Sequence, residues 1–431
     1  MRARAAAPSQ PEPSDAQGTE RSLFFSRVWI GGAVVVLLIG LLASQPALSL
    51  LALLVLATAG LAAGWNRLAL RRVEYRRELF ADRAFPDDVV TLTITVVNRK
   101  ALPLPGLSIE DELDAALQPI DRETTLSGTS GRRILRIVTS VRAHEAVTWR
   151  IPLRCTARGV HAIGPATLRA GDPFGFFSTR RTAPGETSVL VYPRVSPLAE
   201  LGFPPRAPLG TARLPRQLLT DPTRVIGVRD YQPDDPFRLI HWKATARLGT
   251  LQVRITEPVT TRQLAIFLNL DTFERYWEGL DVATAEWAIE VAAAIAKHAI
   301  EERDAVGIYA NGIVAGSDQP LRVPPSRSAT QLQKLMEGLA RISPYSTVAF
   351  ARILAAEMPR LPWGSTIVVV TSLVPESLIA QLSALLAAGH QVVLVTLGEP
   401  DVPMLQGLIL HRIPLDGAAA SDVAVATQGA V

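Results

Sequence analysis

Two uncharged apolar runs near the N-terminus constrain this chain more than any other feature. Residues 28–43 (VWIGGAVVVLLIGLLA) and 47–64 (ALSLLALLVLATAGLAAG) contain no Asp, Glu, Lys or Arg, and only Ser44-Gln45-Pro46 separates them. Each is near the lower limit of about 17 residues for a helix that crosses a bilayer. Backbone in hydrocarbon has to satisfy its own hydrogen bonds, so runs of this kind are helical. Trp29 and Trp65 stand at their outer ends, where interfacial aromatics belong. A transmembrane helical hairpin is expected over residues 23–66. The alternative is a secretory signal in the first run.

Charge gives the orientation. The chain of 431 residues carries 44 Lys and Arg against 40 Asp and Glu, a net charge of +4. Nine Arg and five acids lie at or before Glu78, which leaves 35 of each sign beyond it. The whole excess flanks the apolar runs, and the turn between them has none. Retention of basic flanks on the inner side predicts a two-pass protein of the cell (inner or plasma) membrane, embedded in the lipid bilayer with its body in the cytoplasm. An evenly charged body argues against a phosphate-binding face, so no nucleic acid is expected as a partner. The single cysteine, Cys155, excludes an intrachain disulfide and fits a reducing compartment.

Beyond the hairpin the pattern changes twice. Residues 1–22 are rich in Ala, Pro, Ser and Gln and read as disordered. Residues 73–194 alternate with period two, as in Val90, Leu92, Ile94 and Val96, with turns at Pro105-Gly106, Arg158-Gly159 and Gly171-Asp172-Pro173. Strands are predicted at 107–113, 133–141, 147–155, 160–168 and 188–192. Together they suggest an antiparallel, immunoglobulin-like β-sandwich. Asp172 is expected to cap its own turn. Residues 195–223 are dense in proline and read as a surface linker. Residues 259–415 alternate apolar strands (264–270, 306–310, 366–371, 391–397) with helices (281–303, 328–342, 347–361, 376–388), with Asp281 as a candidate N-cap. That order predicts an α/β domain with a mostly parallel sheet covered on both faces. The Ala-rich tail, 416–431, reads as disordered.

Residues 224–258 hold the densest mixture of charge, aromatics and punctuation. Asp234-Asp235-Pro236 predicts a helix start with Asp235 as N-cap, running over 236–247 to a left-handed cap at Gly249. Helical spacing then groups Arg238, His241, Trp242 and Thr245 on one face, with Lys243 and Arg247 roughly opposite. A strand should follow, with Leu251, Val253 and Ile255 facing one way and Gln252, Arg254 and Thr256 the other. Three readings fit these residues. They form ion pairs tying the helix to its neighbours, Asp234 with Arg238 for example; or a binding face; or a site with His241 as base. No Ser or Cys nucleophile stands beside His241 in the sequence.

This stretch resembles the signature of the family called domain of unknown function 58, loosely R-x-Y-x-P-G-D-x-x-R-x-I-x-W-K-x-x-A-R-x-G-x-L-x-V-R. Arg229, Tyr231, Pro233, Asp235, Arg238, Ile240, Trp242, Lys243, Ala246, Arg247, Gly249, Leu251, Val253 and Arg254 match, and Asp234 replaces the usual Gly. Arg158-Gly159-Val160, Gly164-Pro165, Asp172-Pro173-Phe174-Gly175 and Val191-Tyr192-Pro193-Arg194 extend the likeness. The α/β region, with Asp271 ending its first strand, resembles a von Willebrand factor A-like domain. Such domains often hold a divalent cation through D-x-S-x-S, a Thr from another loop and a later Asp, all hard oxygen ligands. Here the motif reads Asp271-Thr272-Phe273-Glu274-Arg275, and the later strand ends Thr371-Ser372-Leu373 without an Asp. Phe273 offers no oxygen and Arg275 brings a positive charge, so neither metal nor cofactor is expected. Asp271 is expected to pair with Arg275 or to cap the next helix.

The resemblance implies a membrane-anchored, non-catalytic adaptor partnered with a MoxR-type AAA+ ATPase in assembly or maturation of other proteins. The alternatives are a structural or envelope-linked interaction protein without an ATPase, or a hydrolase built on Arg229, Asp235, His241 and Lys243. The sequence holds no P-loop, no H-E-x-x-H, no G-x-S-x-G and no Cys pair.

Overall fold

A computed structural model describes residues 18–21, 27–204, 209, 220–233, 235, 237–258, 262–274, 278–346, 348–362 and 364–415. They fall into two compact units, one within residues 1–193 and the other within 194–423.

The first unit opens with a short strand, β1 (Gly18–Arg21), and two apolar helices, α1 (Arg27–Leu42) and α2 (Pro46–Ala69). Residues 18–21, read from composition as disordered, pair antiparallel with β11 (Phe177–Ala183). Pro46 opens α2 where no N–H is needed, and Ser44 makes the preceding turn at a φ of 46°. At about 1.5 Å per residue, α2 reaches roughly 36 Å and α1 about 24 Å, against a hydrocarbon core of ~30 Å. Among the described residues α2 is therefore the one helix long and apolar enough to cross a membrane. The helices approach closely where Gly40 faces Ser49; a Cβ at Gly40 would sit 2.9 Å from Ser49 N. Below the last turn of α2, Arg181 on β11 donates to Leu70 O at 3.0 Å and to Val73 O at 2.5 Å. A cation thus satisfies the Leu70 carbonyl at the helix's C-terminal end, where it is favoured, and also reaches the first carbonyl of β2.

The strands that follow are β2 (Val73–Leu79), β3 (Arg83–Ala84), β4 (Val89–Asn98), β5 (Leu104–Asp114), β6 (Leu117–Pro119), β7 (Thr124–Leu126), β8 (Arg132–Val141), β9 (Ala146–Cys155), β10 (Gly159–Gly171), β11 and β12 (Thr187–Val191). One sheet runs β2-β4-β9-β6, the other β1-β11-β10-β5-β8-β7, with β12 beside β10. Pairing is antiparallel except between β3 and β12, which run parallel. The period-two pattern holds: Val90, Leu92, Ile94 and Val96 of β4 are buried. One apolar cluster takes Leu92, Ile94, Ile151 and Leu153 from the first sheet and Leu107, Ile109, Leu135 and Ile163 from the second. Each such side chain stabilises by about 1.5–3 kcal/mol. Asp172 accepts from Phe174 N and Phe177 N, capping its own turn as expected.

A buried polar bridge also joins the sheets. Asp111 on β5 accepts from Arg77 Nη1 and from Tyr75 Oη, both on β2 and both at 2.5 Å. The Asp111 side chain is fully buried and that of Arg77 is 6% exposed. Burial pushes the Asp111 carboxyl above its usual range despite the guanidinium, and burial with the Asp111 charge pushes the Tyr75 phenol up.

In the second unit, residues 195–204 do not behave as a surface linker: Leu198, Leu201 and Phe203 are buried, and the Phe203 ring lies 5.0 Å from that of His411. The apolar residues between the prolines bury here, which proline density alone conceals. From residue 220 the chain forms β13 (Thr220–Asp230), paired antiparallel with β14 (Gln252–Pro258), with α3 (Trp242–Leu248) between them. Next come β15 (Gln263–Leu268), α4 (Val282–Glu301), β16 (Ala305–Val314), β17 (Pro320–Ser326), α5 (Gln331–Arg341), β18 (Ile342–Ser346), α6 (Phe350–Glu357), β19 (Thr366–Thr371), α7 (Glu376–Ala387), β20 (Gln391–Leu397) and β21 (Ile409–Ile413). The sheet is mixed, in the order β17-β16-β15-β19-β20-β21, with β18 also on β16. The pairs β15–β16, β15–β19, β19–β20 and β20–β21 are parallel; β17 and β18 run antiparallel to β16. The proline-bearing strand β17 sits at an edge, where missing N–H donors are tolerated. From β15 the chain builds outward to β16 and β17 on one side, then returns to β19–β21 on the other. The carboxyl end of β15 is therefore a topological switch point, where sheets of this kind open a crevice.

Candidate functional site

The crevice is set by a hydrogen-bonded loop after β15. Asn269 and Asn311 are buried. Asn269 Oδ1 accepts from Asp271 N at 3.1 Å and from Asn311 Nδ2 at 3.1 Å, while Asn269 Nδ2 donates to Thr371 Oγ1 at 3.0 Å. Asn311 Oδ1 accepts from Leu270 N at 2.8 Å. These contacts join the ends of β15, β16 and β19 and aim Asp271 outward. Ser346 donates to Asp271 Oδ1, and Ser372 Oγ donates to Asp271 O at 3.2 Å. Burial pushes the Asp271 carboxyl above its usual range, against hydrogen bonds from Ser346 and Asn311.

In front of Asp271 lies a cavity of about 500 Å³, lined by Thr272, Phe273, Leu280, Tyr345 and Val348 among others. Asp271 does not cap the following helix: Asp281 does, accepting from Ala283 N at 3.1 Å and Thr284 N at 3.3 Å. The reason is distance along the chain, since residues 272–280 intervene and Thr272 Oγ1 accepts from Asp281 N at 2.9 Å. The expected partner Arg275 lies outside the described residues. Phe273 is on the surface, 42% exposed. No group of three His, Cys, Asp or Glu gathers among the described residues.

The signature segment forms a second cluster. Arg229, at the end of β13, meets Asp235 through two parallel bonds of 2.6 and 2.5 Å, and Gln232 N donates to the same carboxylate at 2.9 Å. The guanidinium holds the Asp235 carboxyl below its usual range, and the Arg229 guanidinium is shifted up in return. Asp235 thus closes a turn and does not cap a helix. Tyr231 stacks on Phe237 at 5.9 Å. Phe237–Leu239 is a 3-10 turn, and Ile240 makes a β-bridge to Val253, which holds the chain extended where a continuous helix was predicted. The α-helix accordingly starts at Trp242, with His241 as its cap: Nδ1 accepts from Ala244 N at 3.1 Å. Gly249 ends it at a φ of 73°, as expected.

No residue of α3 is buried; Trp242 is 66% exposed, and Lys243 and Arg247 are exposed beside it. On β14, Val253 is buried and Arg254 exposed, opposite Val228. The alternation breaks at its start: Leu251 is exposed, and Gln252 is buried with Nε2 donating to Asp230 at 2.5 Å and to Thr250 at 3.1 Å. Arg229, Tyr231 and Asp235 are therefore drawn into one corner, whereas Trp242, Lys243, Arg247 and Arg254 point into solvent. Asp234 and the Arg238 side chain lie outside the described residues. Asn269 and Asn311 went unnoticed in the sequence because nothing in residue type or spacing separates them from other asparagines.

The family model described as protein of unknown function DUF58 matches residues 227–410. An uncharacterized protein of Bacillus subtilis (strain 168), YeaD, is 24% identical over 207 residues, covering 47% of this chain and 49% of that protein. The chain thus spans about half the length of the curated relative it matches. Among solved structures, a type II cohesin domain from the cellulosome of Acetivibrio cellulolyticus aligns at 13% identity and a TM-score of 0.20, over 27% of this chain and 94% of that one. A cohesin module of a Clostridium perfringens glycoside hydrolase gives 9% identity and 0.20, over 28% and 96%. Likenesses of that size carry no argument. With the signature residues in place, residues 227–410 match the DUF58 family.

Proposed function

We propose that this protein is a two-pass adaptor of the cell membrane, presenting a cytoplasmic interaction module that works with a MoxR-type AAA+ ATPase in assembly or maturation of other proteins. In this reading α1 and α2 form the hairpin and the body is not an enzyme. The β-rich region is an immunoglobulin-like sandwich, and the α/β region a von Willebrand factor A-like domain whose cation cradle is dismantled. The reversal of strand order at β15, with the antiparallel edge strand β17 lying beyond β16, supports the last assignment. Phe273, standing where the cradle needs an oxygen, supports the loss of the metal.

The observation that carries the function is α3. Seven residues make a helix too short to be stable for its own sake, and none of these is buried. Trp and Arg are the side chains that dominate protein interfaces, and Trp242, Arg247 and Arg254 are all exposed. The test is crosslinking in native membranes followed by purification of the full chain and mass spectrometry. A AAA+ ATPase is expected with the wild type and at least about tenfold less with Trp242→Ala or Lys243→Glu. If no AAA+ ATPase is recovered, or if both variants retain it, the proposal is wrong.

A further inference from the structure

Asp271 lines a cavity whose volume, about 500 Å³, falls within the roughly 300–1,000 Å³ of ligand pockets. Among the described residues no basic side chain pairs with its carboxylate, and the donors that reach it, Ser346 and Asn311, are neutral. A carboxylate drawn out of water is costly until a cation joins it. The rest of the lining includes Phe273, Tyr345, Leu280 and Val348. Phe273 and Tyr345 are exposed, 42% and 66%, so their rings are available to an incoming group.

A carboxylate among aromatic and aliphatic walls suits an organic cation. The charge meets the acid, the stem lies on apolar surface, and the cation's face packs on a ring. We infer that this cavity binds an arginine side chain of a partner polypeptide, with its guanidinium on the Asp271 carboxylate. Arginine fits better than lysine because a guanidinium is more weakly hydrated and its plane stacks on aromatic rings, whereas an ammonium surrenders more hydration on entry. The inference does not rest on the ATPase partnership: arginine binding with no ATPase recovered would sink that reading and leave this one standing.

The experiment uses the full chain in lipid nanodiscs and three probes, acetyl-Gly-Arg-Gly-amide and its Lys and Glu counterparts, titrated by saturation-transfer NMR. The Arg peptide is expected to bind, the Lys peptide about threefold or more weaker, and the Glu peptide not at all. Asp271→Asn should weaken the Arg peptide by at least about tenfold. Phe273→Ala, which alters a surface side chain, should weaken it about three- to tenfold. Thermal denaturation of each variant separates lost binding from lost folding. The inference fails if the wild type ignores the Arg peptide, or if Asp271→Asn binds it equally. It also fails if the Glu peptide binds on addition of Mg²⁺, which would mark an anion site built on a metal. Binding seen only with Arg275→Ala likewise overturns it, because the wild type then takes no arginine from a partner.

Discussion

Asp271 is a carboxylate that the fold holds at a cost. Burial raises its folded pKa above the ordinary 3.8. For a raised group the stabilising contribution is complete below the unfolded value and is lost as pH rises through the folded one. Asp271→Asn, neutral throughout, should therefore unfold at a higher temperature than the wild type at pH 7. The gain is about 2–4 °C for each kcal/mol of relieved desolvation. The gap should close below pH 3.8; a lower melting temperature for the variant at pH 7 would contradict the assignment. A residue that destabilises its own domain is expected where binding needs it. Asp111, whose carboxyl is also pushed up by burial, differs in having a charged partner. Its partner Arg77 is buried beside it, so Asp111→Ala strands a guanidinium in the core and should cost about 3–5 kcal/mol in chemical denaturation. Replacing both, Asp111→Leu with Arg77→Met, should cost less than either single change. Neither residue was singled out from the sequence, because β2 and β5 alternate as ordinary strands and only the packing of two sheets brings them together.

At the scale of elements, α3 shows how a local signal is overridden. Asp235 followed by Pro236 is a strong helix start, yet Arg229 claims the Asp235 carboxylate and the Ile240–Val253 bridge holds the chain extended. The helix then begins at Trp242 with His241 as its cap. His241→Ala should loosen α3 by about 0.5–2 kcal/mol, and His241→Asn should restore most of it. Amide exchange of residues 244–248 reads this directly, and unchanged protection in His241→Ala would refute the capping role. The stop signal Gly249 and the strand after it were legible because a left-handed cap and a period of two are local properties. The strands β17, β18 and β21 were not, since their residues carry prolines or charges and become strands only by pairing with β16 or β20.

At the scale of the whole chain, α2 is long and apolar enough to cross a membrane and α1 is shorter. Two passes require α1 to be matched by local thinning of the bilayer or by its flanks. Alkaline phosphatase fused after Arg77 should then be inactive and a cytoplasmic reporter at the same point active; the reverse pattern would place the body outside. The apolar helices, the change of period from 2 to 3.6 and the order of the four apolar strands and their helices in the α/β region were determined by the sequence alone. Each arises from the chemistry of neighbours a few residues apart. Only the tertiary structure decided that Asn269, Asn311 and Thr371 lock the loop bearing Asp271, that Ser346 from another strand reaches its carboxyl, and that a cavity opens before it. Those groups lie between about 40 and 100 positions apart, and such contacts exist only once the mixed sheet has brought its strands together.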